Sequence, residues 1–254
     1  MTTLILTPNK KEVCGMYQLA KDLAKEFDGK VYTKNERIPH NEFFDYTQVI
    51  TLFYPMHKHG KYLQKNYGFK WICYDQKIPP ATKVYFPDFF RRQYIKVFTW
   101  LNNRSMKGAD EYWNVTEREQ KPRWTEKRKS ISNDALNRQE YALYLGRRTD
   151  YKNFDWLQKT MRELDIQLEY SNYWDDENVY DWLSNAKMLI TASLWEGYGR
   201  PVMEAEALGI PAVAYDVGAH KRHIKKGICV HLDINNMNKS EEDFKKAVLE
   251  VWNR

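Results

Sequence analysis

Two carboxylates, Glu196 and Glu204, flank the glycine-rich run Gly197-Tyr-Gly-Arg-Pro-Val-Met203, and the segment continues through Ala-Glu-Ala-Leu-Gly209 to Ile-Pro211. Pro201 suits a first helical position, where its missing N–H is no loss, and Gly209 suits the residue past a helix end, so the spacing predicts a helix over Pro201–Leu208. Met188–Thr191 before it and Ala212–Tyr215 after it are short apolar runs that read as buried strands. A glycine turn leading from a strand end into a helix N-terminus presents backbone N–H groups and the positive end of the helix dipole, a setting for a phosphate. Upstream, Gly146-Arg147 and Lys152 follow another apolar run, Tyr141–Leu145. A guanidinium and an ammonium at a second strand end would meet a diphosphate with a fork and a point charge. Taken singly, Arg147 and Lys152 read better as ordinary surface charge, and only their place in matching strand-end loops, with the glycine turn nearby, raises them above it.

The carboxylates admit more than one chemistry. Glu204, one turn into a helix, is favoured there by the macrodipole by about 0.3–1 kcal/mol, and it could also take both hydroxyls of a ribose. Glu196 precedes the turn and could accept hydrogen bonds from sugar hydroxyls. The pair could also act as the two carboxyls of a glycoside hydrolase, which would need them about 5 to 9 Å apart across a sugar; the basic loop has no part in that reading.

Apolar runs alternate with helical stretches along the whole chain. Thr3–Thr7, Val31-Tyr32, Gln48–Phe53, Lys70–Tyr74 and Glu111–Val115 read as strands of a first half, with a helix over the 17–24 region and another over Arg91–Leu101. Residues 118–138 are polar, charged and aperiodic, and suit an interdomain connection. A second half then runs from Tyr141–Leu145 through a helix around Trp156–Leu164, a strand at Gln167–Tyr170, a helix started by Asp175 or Asp176, a strand at Ile228–Leu232 and an amphipathic helix over Glu241–Trp252. Alternation of this kind implies parallel α/β sheets. The fold class expected is α/β with two doubly wound domains facing across a cleft: residues 1–130 and residues 131–254, with the terminal helix able to pack back on the first domain.

The 254 residues, 43% hydrophobic and 29% charged, suit a folded globular chain of two domains. Three cysteines, Cys14, Cys73 and Cys229, are far apart and form neither a disulfide framework nor a zinc pattern, so reduced thiols and no metal site are expected. The Leu4-Ile-Leu6 run is too short for a signal-peptide core, and no stretch approaches the roughly 20 apolar residues of a membrane span; a cytoplasmic chain is the expectation. A formal charge of +6 could serve phosphates, an anionic membrane face or nucleic acid. Much of it lies in Arg118–Arg128, interleaved with glutamates, which reads as a solvated face, and no nucleic-acid partner is expected.

The run from Glu196 through Glu204 to Val213 resembles the signature of two glutamates separated by seven residues found in the retaining GT-B glycosyltransferases of family 4, also called glycosyltransferase group 1. Tyr144-Leu-Gly-Arg147 with Lys152-Asn153, the Ser193–Gly199 turn and Asp216-Val-Gly218 resemble further landmarks of that family in the same order, and Ala109–Glu117 resembles its strand before the linker. The resemblance covers the second half almost completely and the first half loosely. It implies two Rossmann-like domains and transfer of a sugar, most simply a hexose, from a nucleotide-sugar bound by the C-terminal domain to a hydroxyl acceptor (carbohydrate, lipid or protein) bound mainly by the N-terminal one. It implies no metal and no cofactor, because Arg147 and Lys152 would neutralise the diphosphate. Glu196 would contact the donor sugar and Glu204 the ribose; Gly146, Gly197, Tyr198, Gly199 and Arg200 would line the donor site. On the acceptor side the candidates are Gly15, in a poor glycine loop, His57, in the loop after the Gln48 strand, and Tyr74-Asp75, where many relatives place a histidine before the aspartate. Relatives that glycosylate lipids work at the cytoplasmic face, so peripheral membrane contact belongs with this reading. The missing histidine at Tyr74 and a short N-terminal domain keep open a protein that binds a nucleotide-sugar without turning it over.

Overall fold

A computed structural model describes residues 2–8, 15–33, 36–39, 43, 45–52, 54–75, 101, 103–114, 139–171 and 176–254. Two compact units divide the chain, one holding the described elements up to Asn114 and one those from Gln139 onward. The expected connection over residues 118–138, the boundary at 130, Cys14 and all of the expected Arg91–Leu101 helix except Leu101 lie outside the described residues.

The first unit is built from β1 (Thr2–Thr7), α1 (Gly15–Glu26), β2 (Gly29–Thr33), β3 (Tyr46–Leu52), α2 (Tyr54–Tyr67), β4 (Lys70–Asp75) and β5 (Glu111–Asn114). All neighbouring strands are parallel, in the order β2-β1-β3-β4-β5. Leu4, Leu6, Val49, Trp71 and Cys73 pack with Met56 and Leu63 of α2, while α1 lies against β1 and β2.

The second unit comprises β6 (Gln139–Leu145), a 3₁₀ turn (Asp150–Lys152), α3 (Phe154–Glu163), β7 (Leu168–Ser171), α4 (Asp176–Asn185), β8 (Ala186–Thr191), α5 (Arg200–Ala207), β9 (Ala212–Tyr215), α6 (His220–His223), β10 (Ile228–Val230) and α7 (Met237–Trp252). Its sheet is also parallel and ordered β10-β9-β8-β6-β7. Successive strand side chains point to opposite faces, and here each face has its own core. Ala142, Tyr144, Met188, Ile190, Val213 and Tyr215 pack with Phe154, Leu157 and Met161 of α3 and Phe244, Val248 and Val251 of α7. Tyr141, Leu143, Leu145, Leu189, Ala212 and Ala214 pack with Val179 and Leu183 of α4 and Val202 and Ala205 of α5. Burial on both faces is the reason these strands read as continuous apolar runs and not as alternating ones. The terminal helix starts earlier than its expected Glu241, at Met237, where the Asn236 side chain accepts from Lys239 N, and its buried face lies on the sheet of its own unit.

Each sheet follows one order: the second strand beside the first, then the third, fourth and fifth on the other side. This is a doubly wound order with a switch point between the first and third strands, where ligands bind outside the strand carboxyl ends. In the second unit the switch point falls between β6 and β8. Among the described residues no helix is long and apolar enough to cross a membrane.

Candidate active site

The loops after β6 and β8 meet at that switch point. Leu194 N donates to Tyr151 O at 2.8 Å, fixing the β8 loop to the 3₁₀ turn. This brings the Lys152 ammonium onto the Glu196 carboxylate as an ion pair, with only 13% and 15% of the two side chains exposed. Ser193 Oγ donates to Glu196 Oε1 at 3.4 Å and lies 2.9 Å from Thr191 Oγ1. Burial pushes the Glu196 carboxyl up, but Lys152, then His220, and the Lys152 and Ser193 hydrogen bonds outweigh it, and the carboxyl is held below its usual range. Glu196 is therefore a carboxylate, not an acid, at neutral pH.

Arg147 is exposed beside this pair. Its Nη2 donates to Tyr151 OH at 3.1 Å, and its carbonyl accepts from Tyr144 OH at 2.8 Å. Trp195 meets the Tyr151 ring edge-on at 5.8 Å between centroids, and Lys152 Nζ lies 5.3 Å from the centre of the same ring. Gly146 leaves β6 with its N–H on Ser171 O at 3.0 Å; a Cβ there would lie 3.1 Å from Tyr144 OH.

The glycine turn runs straight into α5. Gly199 caps the helix in the left-handed region at φ 71°, a conformation that costs a side-chain-bearing residue about 1 kcal/mol or more. The helix covers Arg200–Ala207, one residue earlier than the expected Pro201–Leu208, with Pro201 within its first two positions. Gly209 follows the end at φ 80° as expected. Glu204 is fully buried and pairs with Arg200 at 3.7 Å on the same helix face. Tyr198 is buried, with its ring edge-on to His223 at 4.5 Å.

Behind the turn lies the segment after β9. Ala219 N donates to Gly197 O at 3.1 Å. Asp216 accepts from Leu232 N at 2.8 Å and pairs with His231 at 2.8 Å, closing the end of β9 onto the exit of β10. His220 is fully buried, and its ring packs against the Gly199 backbone closely enough that a Cβ on Gly199 would lie 2.5 Å from Nε2. Neither Tyr151, Trp195, Ser193 nor His220 was singled out as a site residue from the sequence. The two aromatics stand next to Lys152 and Glu196, so their spacing held a signal; His220 is placed only by the sheet.

The acceptor-side candidates sit in the first unit and do not cluster in one way. Gly15 is the first residue of α1, and Asp75 ends β4 opposite Asn114. Tyr74 is fully buried in β4 and lies edge-on to Trp113, with ring centres 6.3 Å apart. His57 is in the first turn of α2 and not in a loop: Tyr54-Pro55 opens the helix, where a proline is tolerated. It is fully buried, with Nδ1 2.9 Å from Thr51 Oγ1 and Nε2 3.3 Å from the Cys73 thiol. Trp71 Nε1 donates to the same Thr51 hydroxyl at 2.8 Å.

Burial pushes the His57 pKa down from 6.5 to about 4. A histidine held neutral in the fold and free to charge when unfolded stabilises fully above pH 6.5, and that contribution drains away as pH falls through about 4. The first unit should lose about 3 kcal/mol across that window, read as an acid limb in urea unfolding followed by tryptophan fluorescence. His57→Gln should flatten that limb, and an unchanged limb in the variant would assign the acid sensitivity elsewhere.

Among the described residues no group of three or more His, Cys, Asp or Glu could hold a metal ion. Cys73, buried against His57, and the partly buried Cys229 are in no disulfide, and the Cys229 pKa is pushed up to about 11 by burial first and then by Asp216.

Known proteins are similar to the chain in part of its sequence and in fold. Residues 152–251 match the family described as Glycosyl transferases group 1. An uncharacterized 41.2 kDa protein in the cps region of Klebsiella pneumoniae is 24% identical over 149 residues, 50% of this chain. The match spans only 42% of that relative's length. The solved structure of WaaG, a glycosyltransferase involved in lipopolysaccharide biosynthesis, aligns with a TM-score of 0.58 over 99% of this chain and 90% of its own, at 11% identity. HepE from Anabaena, solved with UDP and glucose, aligns with a TM-score of 0.52 over 100% of this chain and 95% of its own, also at 11% identity. By the sequence of residues 152–251 and by the fold of its two α/β units, the chain resembles the GT-B glycosyltransferases of group 1.

Proposed function

We propose that this chain is a glycosyltransferase that moves a sugar, most simply a hexose, from a nucleotide-sugar to a hydroxyl acceptor, with retention at the anomeric carbon and without a metal. The observation that carries the reading is the meeting of Lys152 and Glu196 at the switch point of the second sheet, with Arg147 and the N-terminal turn of α5 beside them.

In this reading the leaving group is a nucleoside diphosphate. Arg147 offers its guanidinium fork and Lys152 its ammonium to the developing charge, and preorganised donors of this kind usually lower the barrier of such a reaction more than any other single effect. The α5 N-terminus adds its dipole on the same side. Glu196, freed from Lys152 when the diphosphate takes the ammonium, accepts from the donor sugar hydroxyls. Glu204 serves the ribose after exchange with Arg200. No protein side chain is assigned as nucleophile; the departing phosphate takes the acceptor proton, and holding the acceptor hydroxyl close and aligned lowers the barrier further. A hydrolase built on Glu196 and Glu204 has less support, since the first carboxylate is held by Lys152 and the second is closed off against Arg200.

The test is a panel of nucleotide-sugars with release of nucleoside diphosphate as readout. UDP-sugars come first because HepE was solved with UDP and glucose. Release from at least one donor, undiminished by EDTA, with product of the donor's anomeric configuration by NMR, is the expected result. Silence across the panel with a simple sugar, a lipid and a peptide acceptor sinks the proposal; binding without release leaves a nucleotide-sugar-binding protein in its place.

A further inference from the structure

His220 is a buried polar group beside the glycine turn that the proposed chemistry leaves unused. Its Nδ1 lies 2.9 Å from the carbonyl oxygen of Tyr215. A carbonyl only accepts, so Nδ1 carries the hydrogen and Nε2 carries the lone pair. That Nε2 is sealed from solvent and has no hydrogen-bond partner among the described residues. Its position is not remote: the ring lies directly behind Gly199, and the preceding residues Gly218 and Ala219 rest on the carbonyls of Glu196 and Gly197.

We propose that His220 is a proton-linked positioning residue of the donor site: when a nucleoside diphosphate takes Lys152 from Glu196, the uncompensated carboxylate draws a proton from solvent onto Nε2 of His220. This rests on the donor-site reading above. One N–H bond forms on the imidazole, the proton comes from the buffer acid, and the site's added negative charge is offset from behind the turn.

The electrostatics around the ring have the required signs. Burial holds the His220 pKa below its usual value; Glu196 pulls it up, the Tyr215 hydrogen bond helps, and Lys152 pushes it down. Neutralising Lys152 with a diphosphate removes one opposing charge and leaves the attractive one. The other groups around the ring are Lys221, Arg222 and His223 on α6, Asp216 after β9, and the Arg200–Glu204 pair on α5, which packs against α6. Of these, only the Arg200–Glu204 pair also opens in the donor-site reading, to the ribose, and neither of its charges is among those that act on the His220 ring, which are Glu196 and Lys152. Equilibrium uptake needs only brief opening of the turn, and the proton then links affinity to pH: binding that takes up a proton strengthens as pH falls.

Isothermal titration with UDP, GDP and ADP, repeated in buffers of different ionisation enthalpy, counts the protons. The wild type should take up more protons on binding than His220→Gln, and its affinity should rise more steeply as pH falls below neutrality; comparing the two removes the nucleotide's own ionisation. Glu196→Gln, which removes the carboxylate that drives uptake, should lose it while still binding, and serves if His220→Gln does not fold. Uptake equal to wild type in either folded variant overturns the proposal. Failure of all three nucleotides to bind the wild type overturns the donor-site reading, and this inference with it.

Discussion

Lys152→Met should lower kcat/KM for the preferred nucleotide-sugar by at least about 100-fold, the loss expected when one preorganised donor to a developing anion is removed. It should also lower stability, for a separate reason. Lys152 and Glu196 are 13% and 15% exposed, and the carboxylate keeps its low pKa largely through Lys152. Removing one partner of a buried pair costs about 3–5 kcal/mol when burial is complete, and the residual exposure here brings the expected loss to about 2 kcal/mol. The two effects separate in a double variant. Lys152→Met with Glu196→Gln leaves no stranded charge, so the unfolding midpoint should return close to the wild type while kcat/KM stays low. A coupling energy of about 1–2 kcal/mol in stability, with none of it recovered in catalysis, is the signature. Activity of Lys152→Met within a few fold of wild type, in a folded protein, would remove Lys152 from the mechanism.

That prediction could be half written from the residues alone. Gly146-Arg147 and Lys152 after one apolar run, and Glu196 after another, placed the charges at strand ends, because continuous apolar runs between helical stretches imply a parallel sheet with its ligands at one edge. The ion pair itself was not legible. Lys152 and Glu196 are 44 residues apart, and what joins them is the β6–β8 adjacency created when β7 turns to the outer side. Helix ends were read to within a residue at α5 because Pro201 and Gly209 act through local backbone geometry. His57 shows the opposite case. By sequence it falls in the loop after the Gln48 strand, yet it stands in the first turn of α2, and its burial against Thr51, Trp71 and Cys73 depends on strands β3 and β4 lying side by side. His220 was invisible for the same reason: its contact with the glycine turn crosses from the β9 loop to the β8 loop.

Gly218→Ala should damage the donor site as severely as the loss of a charged residue, though Gly218 offers no side chain to any ligand. Its φ is 57°, where an alanine costs about 1–2 kcal/mol. The larger problem is space. A Cβ at 218 would overlap the carbonyl oxygen of Glu196, lie 2.5 Å from that of Gly197 and 2.8 Å from the Glu196 carbonyl carbon. These are backbone atoms of the turn, with Gly197 O already held by Ala219 N, so no rotamer change relieves the overlap. The turn must move away from the β9 loop, carrying the Glu196 carboxylate off Lys152 and loosening the seal over His220. A shift near 1 Å in a positioning element can cost about 100-fold in rate, and the expected result is a loss of that order in kcat/KM together with at least about 3 kcal/mol of stability. Gly209→Ala is the matched control. Its φ of 80° is equally unfavourable to alanine, but the nearest atom to its Cβ is the flexible end of Lys226 at 3.1 Å, so it should cost only the same backbone strain of about 1–2 kcal/mol and leave donor kinetics unchanged. Thermal melts of the two variants beside their donor kcat and KM make the comparison. If Gly218→Ala proves as mild as Gly209→Ala, the packing of the β9 loop behind the Glu196–Gly199 turn has no part in holding the site.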